Sequence, residues 1–400
     1  MEIRRIRPEE KISAELIMNV VFLFPAEENY RQRLENPADA EQAEGYEQFW
    51  AAFGDDGKMT SCLVVNEYQT RFDGHTVGMG GVGGVGTLPE YRKGGHIRKI
   101  FEKALPEMRE EGKVFSFLYP FSFAFYRKFG YELCRTYNRV TLPVKLFQTF
   151  PYPDRVEFFQ KGGDAAPYAK VYEVFARDKN LAVVRTEKGW KNILDMDPYI
   201  KRQYTYLYRD ASGEPAAYVI FSAEKDDDGN LMAIRELAWV NPSAFFAMLG
   251  FLGGLAPQFG NAQWNMPSAF DITSLFPESH EIKITRPVGG MNRIVNVPQA
   301  LSLLRAPEKE GRAVIKVTDK FLPANDGVYK IEWDGSGSLF AKTSGRTPDM
   351  ETDVETLTQL VTGFLTLEQA RYRKNIVVDR NEKPLRALFP HKDLYLMEYF

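Results

Sequence analysis

A basic, glycine-rich segment at residues 92–98, RKGGHIR, carries residue types that can bind phosphate. Its glycines leave backbone N–H groups accessible, while Arg92 and Lys93 add positive charge. Apolar residues recur at helical spacing from Ile97 onward, so the segment opens a predicted helix whose N-terminus attracts anions. The preceding residues 79–87 are predicted to form a strand, where dense glycine suits close approach of a backbone or a ligand. The pattern therefore predicts a phosphate-binding strand–loop–helix.

A second candidate for chemistry is Tyr126, within the segment FYRKFGYE at residues 125–132. A tyrosine taken alone is more typical of an aromatic core contact. A tyrosine beside two basic residues, near a phosphate-binding loop, could instead donate a proton as a general acid. Its place in the chain after the basic loop favours the catalytic interpretation.

Residues 26–50 are rich in glutamate and interleaved with aromatic side chains. One interpretation is a solvated helix face. The other is a lid over an acceptor pocket whose carboxylates favour cationic amines. The candidate acceptor contacts are Phe24, Glu27, Glu28 and Tyr30.

Hydrophobic periodicity predicts alternating strands and helices, an α/β (α+β) fold class. A strand–turn–strand–helix unit occurs at residues 61–110 and again at 203–256. The second copy has VNPSAF where the first has the basic loop, so it is expected not to bind a pyrophosphate. Residues 257–300 are predicted to be irregular, and residues 312–400 to combine strands with a helix. Boundaries are predicted near 145–155 and 285–295.

Composition sets limits on the function. The formal net charge is −3, which gives no general reason to expect nucleic acid or an anionic membrane as a partner. The 2 cysteines and 4 histidines show no metal-ligand spacing, so no metal is expected. No apolar run is long enough for a signal peptide or a membrane span, which predicts a cytoplasmic location.

The loop and the tyrosine segment together resemble the GNAT acetyltransferases. In that family Q/R-x-x-G-x-G/A follows a strand and binds acetyl-CoA. Arg92 and Gly95 match this pattern, and Ile97 stands at its last position in place of the usual small residue. The residues 125–132 match the second hallmark of the family. The resemblance implies acetyl-CoA as co-substrate, with contacts from Val85, Thr87, Arg92, Lys93, Gly94, Gly95, His96 and Ile97.

The whole chain resembles the Eis (enhanced intracellular survival) acetyltransferases. This implies a GNAT domain at residues 1–150, a degenerate GNAT-like domain at 151–290, and a sterol-carrier-like α+β domain at 291–400. It also implies that Tyr126 is the general acid and that the C-terminal carboxylate of Phe400 is the base. The apolar tail from Asp393 is predicted to be a docked strand. The resemblance also implies a homo-oligomer, with a hexamer as the expected assembly.

Three functions follow as hypotheses. The first is an N-acetyltransferase acting on a small-molecule amine, either polycationic and aminoglycoside-like or lysine-like. The second is an acetyltransferase acting on protein lysines or N-termini. The third is a non-catalytic carrier of an apolar ligand in the last domain, which residues 312–400 disfavour because their apolar content does not exceed that of a normal core.

Overall fold

The computed structural model describes residues 1–26, 28, 30–31, 45–227, 229–267, 269–334, 338–343, 347–373 and 375–398. Its strands are β1 (Glu2–Arg5), β2 (Phe49–Phe53), β3 (Met59–Phe72), β4 (His75–Thr87), β5 (Lys113–Leu118), β6 (Glu132–Leu133), β7 (Tyr137–Pro143), β8 (Val156–Phe158), β9 (Val183–Val184), β10 (Gln203–Arg209), β11 (Pro215–Asp226), β12 (Gly229–Trp239), β13 (Asn261–Pro267), β14 (Lys283–Thr285), β15 (Met291–Ile294), β16 (Gly311–Thr318), β17 (Gly327–Trp333), β18 (Ser338–Thr343), β19 (Met350–Asp353) and β20 (Ile376–Val378).

The helices are α1 (Lys11–Phe22), α2 (His96–Glu110), α3 (Phe123–Arg127), α4 (Ala166–Ala176), α5 (Glu187–Leu194), α6 (Pro198–Lys201), α7 (Pro242–Gly253), α8 (Val297–Ser302), α9 (Val354–Thr362), α10 (Leu367–Ala370) and α11 (Glu382–Leu388). Short 3-10 turns lie at Pro8–Glu10, Tyr46–Gln48, Pro89–Tyr91, Val144–Thr149, Thr273–Leu275, Ser279–Glu281 and Pro323–Asn325.

The chain divides into two units. The first contains Met1–Cys134 and Gly290–Lys392, with Met397 and Glu398 of the tail. Its larger sheet has the order β1-β2-β3-β4-β5-β15-β6, in which only β4 and β5 run parallel to each other among these neighbours. The predicted turn between β3 and β4 is confirmed, since Phe72 pairs with His75 across Asp73-Gly74.

Helix α2 packs its apolar side on this sheet. Its buried residues are Ile97, Ile100, Phe101, Ala104, Leu105 and Met108. They share one core cluster with Tyr126, Phe129 and Tyr131. The periodicity that predicted the helix therefore also identified the face that holds it to the sheet.

A second sheet in the first unit has the order β18-β17-β16-β19-β20, and helix α9 is buried along nearly its whole length. This matches the strands and helix predicted for residues 312–400.

A buried ion pair joins the larger sheet to the smaller sheet's region of the same unit. Arg293 Nη2 lies 2.5 Å from Asp319 Oδ2, and both side chains are 0% exposed. Asp319 also accepts hydrogen bonds from the backbone N–H of Leu322 and from Asn325 Nδ2.

Replacing Asp319 by Ala is expected to lower the free energy of unfolding by about 3–5 kcal/mol, because it leaves the Arg293 charge buried without its partner. Urea denaturation at pH 7 measures the loss. The matched control is Glu351→Ala, which breaks the surface pair with Lys316 (2.7 Å, side chains 43% and 48% exposed) and is expected to cost less than about 1 kcal/mol. Equal losses in the two variants would contradict this account.

The second unit contains Arg135–Gly289 and Asp393–Leu396. Its sheet has the order β14-β7-β13-β12-β11-β10-β8, with β12 and β13 parallel. Because β7 pairs with β13 along its length, residues 135–150 lie with this unit and not with residues 1–134. Residues 257–300, predicted to be irregular, instead contain β13, whose alternating buried residues Ala262, Trp264 and Met266 were the missed signal.

The predicted terminal strand is wrong for the described part of the tail. Among residues 393–398 only Leu394 forms a bridge, with Asn180, and the remainder is irregular. The tail is nevertheless docked, as its apolar composition indicated. Tyr395 is buried, and its hydroxyl donates to Glu236 Oε2 at 3.2 Å. Two backbone hydrogen bonds flank Leu394, from the Asn180 N–H to the Asp393 carbonyl and from the Tyr395 N–H to the Asn180 carbonyl. This single bridge and the buried Tyr395 side chain therefore hold the segment, and no extended strand does.

Candidate functional site

Strands β4 and β5 separate at one end of the first unit's sheet. Their parallel pairing ends at Val82 and Leu118. Just beyond this point β4 carries a bulge, since Cys62 pairs with Gly86 and Val64 with Gly83, so that two residues of β4 oppose one of β3. The edge of β4 from residue 83 to residue 87 thus has no β5 partner, and its backbone groups are open to a ligand.

The glycines of β4 allow a helix to approach closely. Gly84 has φ +57°, and a Cβ placed on it would lie 2.7 Å from Met18 Sδ of α1. A Cβ on Gly86 would lie 3.2 Å from Val21 Cγ2 of the same helix. The close approach predicted from the sequence is therefore made by α1. Helix α1 ends at Phe22, and the next residue, Leu23, adopts φ 58°.

The basic loop has a backbone suited to anions. Lys93 (φ 68°) and Gly95 (φ 73°) are both left-handed, and α2 begins at His96. The first backbone hydrogen bond of the helix is donated by Lys99 to the Gly95 carbonyl. The N–H groups in the first turn of a helix lack partners inside the helix and carry partial positive charge. Arg92 and Lys93 are exposed beside them, so the loop combines N–H donors and positive charge of the kind that can bind a phosphate group.

A cavity of about 790 Å³ joins the open edge of β4 to this loop. It brings together every predicted cofactor contact except Gly94: Val85, Thr87, Arg92, Lys93, Gly95, His96 and Ile97. Gly94 packs directly against His96, because a Cβ on it would lie 2.7 Å from His96 Nε2. Thr87 Oγ1 accepts a hydrogen bond from Ser61 Oγ at 2.9 Å, which leaves its own proton free to donate.

The cavity has further walls that were not proposed as site residues. They are Val21, Phe22, Tyr91, Arg98, Phe121, Phe125, Lys128 and Phe129. Arg98 belongs to the basic loop, and Phe125, Lys128 and Phe129 belong to the second hallmark segment, so their motifs were the available signal. Phe22 and Phe121 lie in no motif, and only the packing of α1 and α3 brings them to the cavity.

Tyr126 lies on α3 and is buried, so it is not itself a wall of the cavity, although its neighbours Phe125 and Phe129 are. Ser122 caps the helix by accepting a hydrogen bond from the Phe125 N–H at 3.3 Å. The Tyr126 ring packs edge-on against Phe121 and Phe125, at centroid distances of 5.4 and 5.2 Å. Among the residues that the structure describes, no hydrogen-bond partner meets its hydroxyl. Burial, with a contribution from the Tyr131 phenol, raises the pKa of Tyr126, so the hydroxyl keeps its proton at neutral pH.

The described end of the tail lies at the C-terminal end of β5. The hydroxyl of Tyr119, which follows β5 directly, donates to the Glu398 carbonyl at 2.7 Å. Burial and the nearby Glu398 carboxylate raise the pKa of Tyr68 to about 12. Phe400, predicted as the base, lies outside the described residues.

The predicted acceptor contacts are less well grouped. Phe24 is half-exposed and stacks on Phe22, at a centroid distance of 6.3 Å and an interplanar angle of 14°. Glu28 is exposed, and the Tyr30 hydroxyl accepts from Arg31 Nε at 3.0 Å. Glu27 lies outside the described residues. The structure therefore connects only Phe24 to the cavity, through Phe22.

In the second unit, aromatic side chains occupy the place that corresponds to the open edge of β4. The parallel pairing of β12 and β13 ends at Ile234 and Trp264. Beyond it the rings of Trp239, Phe245 and Phe270 contact one another at centroid distances of 4.5 to 5.7 Å. Helix α7 begins at Pro242, which has no N–H, and Asn241 Oδ1 caps it by accepting from the Ala244 N–H at 2.9 Å. The described residues of this unit therefore form no pyrophosphate-binding loop at the start of α7.

The described part of the chain contains neither a candidate metal site nor a candidate membrane span. Its histidine, cysteine and carboxylate side chains form no group of three that could hold a metal ion. None of its helices combines the length and apolar character needed to cross a membrane.

Three family models match the chain. An acetyltransferase (GNAT) domain matches residues 2–134, a second acetyltransferase (GNAT) domain matches residues 181–294, and a sterol carrier protein domain matches residues 297–397. No curated protein sequence matches the chain. GNAT domains use acetyl-CoA as co-substrate, which fits the phosphate-binding loop and the cavity beside it.

Several solved structures share the fold over the whole chain. A conserved protein of unknown function from Enterococcus faecalis aligns with TM-score 0.86 and 20% identity, over 100% of this chain and 99% of its own. A GCN5-related N-acetyltransferase from Anabaena variabilis aligns with TM-score 0.84 and 22% identity, over 100% of both chains. Eis1 from Mycobacterium abscessus aligns with TM-score 0.81 and 17% identity, again over 100% of both chains. At these identities the likeness establishes the fold.

Proposed function

We propose, from the premise that this chain belongs to the GNAT acetyltransferases and has the domain order of the Eis family, that it transfers acetyl from acetyl-CoA directly to an amine. The chain is an acyltransferase, and one observation supports the location of its site in the first unit. A single cavity there contains both the open edge of β4 and the anion-binding start of α2. The second unit has aromatic rings at the corresponding place.

The cavity suits the charge and shape of coenzyme A. The pyrophosphate would lie at the N–H groups of the loop, where Arg92 and Lys93 add charge. The pantetheine arm would then follow the unpaired edge of β4. The N–H near Val85 would donate to the thioester oxygen, which becomes negative as the amine attacks.

The proton transfers need one base and one acid. An alkyl ammonium has a pKa of about 10, so the acceptor must lose a proton before its nitrogen can attack the acetyl carbon. We assign this step to the C-terminal carboxylate of Phe400, acting through water. The C–N bond then forms and the C–S bond breaks as Tyr126 gives its proton to the departing sulfur. The second proton that the nitrogen loses on becoming an amide returns to the Tyr126 oxygen through water. The raised pKa of Tyr126 keeps that proton available at neutral pH.

The acceptor we propose is a polycationic, aminoglycoside-like small molecule or a lysine-like amine. The glutamates of residues 26–50 support this by charge, although Glu28 is the only predicted acidic contact among the described residues. A domain limit near 290, a hexameric assembly and a cytoplasmic location also remain predictions. Acetylation of protein lysines or N-termini is the competing acceptor class.

An acceptor panel tests the proposed function. Calorimetric titration should show saturable binding of acetyl-CoA, and release of the CoA thiol should then be measured with an aminoglycoside, a polyamine, lysine amide, a lysine-containing peptide and a peptide with a free N-terminus. We expect turnover with the small amines to exceed turnover with the peptides at least tenfold in kcat/KM. A preference for either peptide would reverse the acceptor assignment. Failure to bind acetyl-CoA would contradict the function itself.

A further inference from the structure

The imidazole of His96 is held in one orientation by strands β2 and β3. Its Nδ1 lies 2.7 Å from the Thr60 hydroxyl oxygen, and that hydroxyl also lies 3.1 Å from the Ala52 carbonyl. A carbonyl oxygen can only accept, so the single Thr60 proton points to Ala52. The Thr60 oxygen must then accept from His96, which places the proton of the neutral ring on Nδ1. Consequently Nε2 carries the lone pair.

The lone pair on Nε2 lies beside Gly94 of the basic loop. His96 is the first residue of α2 and lines the cavity together with Arg92 and Gly95. The ring occupies the space that any side chain at position 94 would need, since a Cβ on Gly94 would meet Nε2 at 2.7 Å. The residue at position 94 therefore determines whether this nitrogen can lie beside the loop.

The surroundings of the ring keep it neutral in the free protein. Burial lowers the pKa of His96, and the Lys99 ammonium and the N-terminal ammonium of Met1 lower it further. Thr60 and the Tyr91 ring, 6.1 Å away, are uncharged neighbours. The charged side chains that share the loop and cavity are all cationic: Arg92, Lys93, Arg98 and Lys128. Glu90 lies on the same turn but pairs with Lys58 at 3.5 Å.

A bound diphosphate would favour the protonated form of the His96 ring over the neutral form. Its oxygens are fully deprotonated and can only accept hydrogen bonds, so they cannot pair with a lone pair on Nε2. Two acceptors facing each other repel, whereas an imidazolium N–H beside a phosphate forms a charge-assisted hydrogen bond. The negative charge of the ligand also opposes the effect of the surrounding cations on the ring.

We propose that His96 takes up one proton from solvent when coenzyme A binds, and that Nε2–H then donates to an oxygen of the diphosphate. This inference rests on the proposed function, because it places coenzyme A in this cavity. Proton uptake raises the pKa of the ring in the complex above that in the free protein. The added affinity is therefore present at low pH and is lost as pH rises through the pKa of the complex.

Calorimetry in buffers of different ionisation enthalpy counts the protons. Titrations with CoA, and with dephospho-CoA to remove the titrating 3′-phosphate, should show wild-type uptake approaching one proton near pH 7. The affinity should fall as much as tenfold per pH unit within the window between the two pKa values. His96→Gln keeps an N–H donor but cannot titrate, so its uptake should be near zero and its affinity nearly independent of pH. His75→Gln, at an exposed histidine of the β3–β4 hairpin, is the matched control and should behave as wild type.

The outcomes separate this inference from the proposed function. If dephospho-CoA binds to wild type without proton uptake, or if His96→Gln retains the full uptake, the inference is wrong while the coenzyme site stands. If His96→Gln weakens binding equally at every pH, Nε2 accepts from a neutral donor and the inference is again wrong. If neither ligand binds to wild type, the proposed function fails as well.

Discussion

Replacing Tyr126 by Phe is expected to lower kcat about a hundred- to a thousandfold, with the affinity for acetyl-CoA unchanged within about twofold. The substitution removes only the hydroxyl, and among the described residues this hydroxyl has no hydrogen bond whose loss would disturb the fold. The departing thiolate would then have to leave without a proton. Steady-state kinetics on the best amine of the panel, with calorimetry of acetyl-CoA, measure the two quantities.

Tyr131→Phe is the matched control for this prediction. Tyr131 lies in the same aromatic core, at a centroid distance of 6.3 Å from Tyr126, but its hydroxyl is bonded to Ser116 Oγ at 2.6 Å. We expect this variant to lose about 1 kcal/mol of stability and to keep kcat within a few-fold of wild type. If both tyrosine variants slow to the same extent, Tyr126 acts through packing and the assignment as acid is wrong.

Deleting Phe400 is expected to lower kcat about a hundredfold or more, again with acetyl-CoA binding retained. The described tail supports this, since Tyr119 holds the Glu398 carbonyl at the end of β5, two residues before the terminal carboxylate. The deficit should shrink as pH rises towards about 10, because a growing fraction of the amine is then already deprotonated in solution. The pH dependence of kcat/KM for both chains tests this.

A second variant separates the carboxylate of Phe400 from its ring. Adding one glycine after Phe400 keeps the aromatic side chain and moves the carboxylate by up to about 3.6 Å along the chain. We expect the extended chain to be slow as well. An extended chain with the wild-type rate would show that only the ring is needed. Wild-type rates in both chains would remove the terminus from the mechanism.

Much of the site was predictable because its signals are local. The basic loop at residues 92–98 combines a strand end, a glycine turn and a helix start, and each of these is encoded by neighbouring residues. The cavity accordingly joins most of the contacts predicted there. The helix of the second strand–turn–strand–helix unit, at residues 203–256, was also predictable from neighbouring residues. Asn241 of its VNPSAF segment caps that helix. Other walls of the cavity were harder to predict, since Phe22 reaches it through helix packing and lies in no motif.

The sequence by itself determined the family, the order of the domains, the anion-binding loop and the tyrosine placed after it, because each depends on residue types at short, fixed spacing. Only the tertiary structure decided which nitrogen of His96 carries the proton, because Thr60 and Ala52 lie on strands far along the chain. It likewise decided that α1 fills the space above Gly84, and that a one-residue bridge and the buried Tyr395 hold the tail in place of an extended strand. Such contacts join distant residues, and their geometry is set by how the elements pack together.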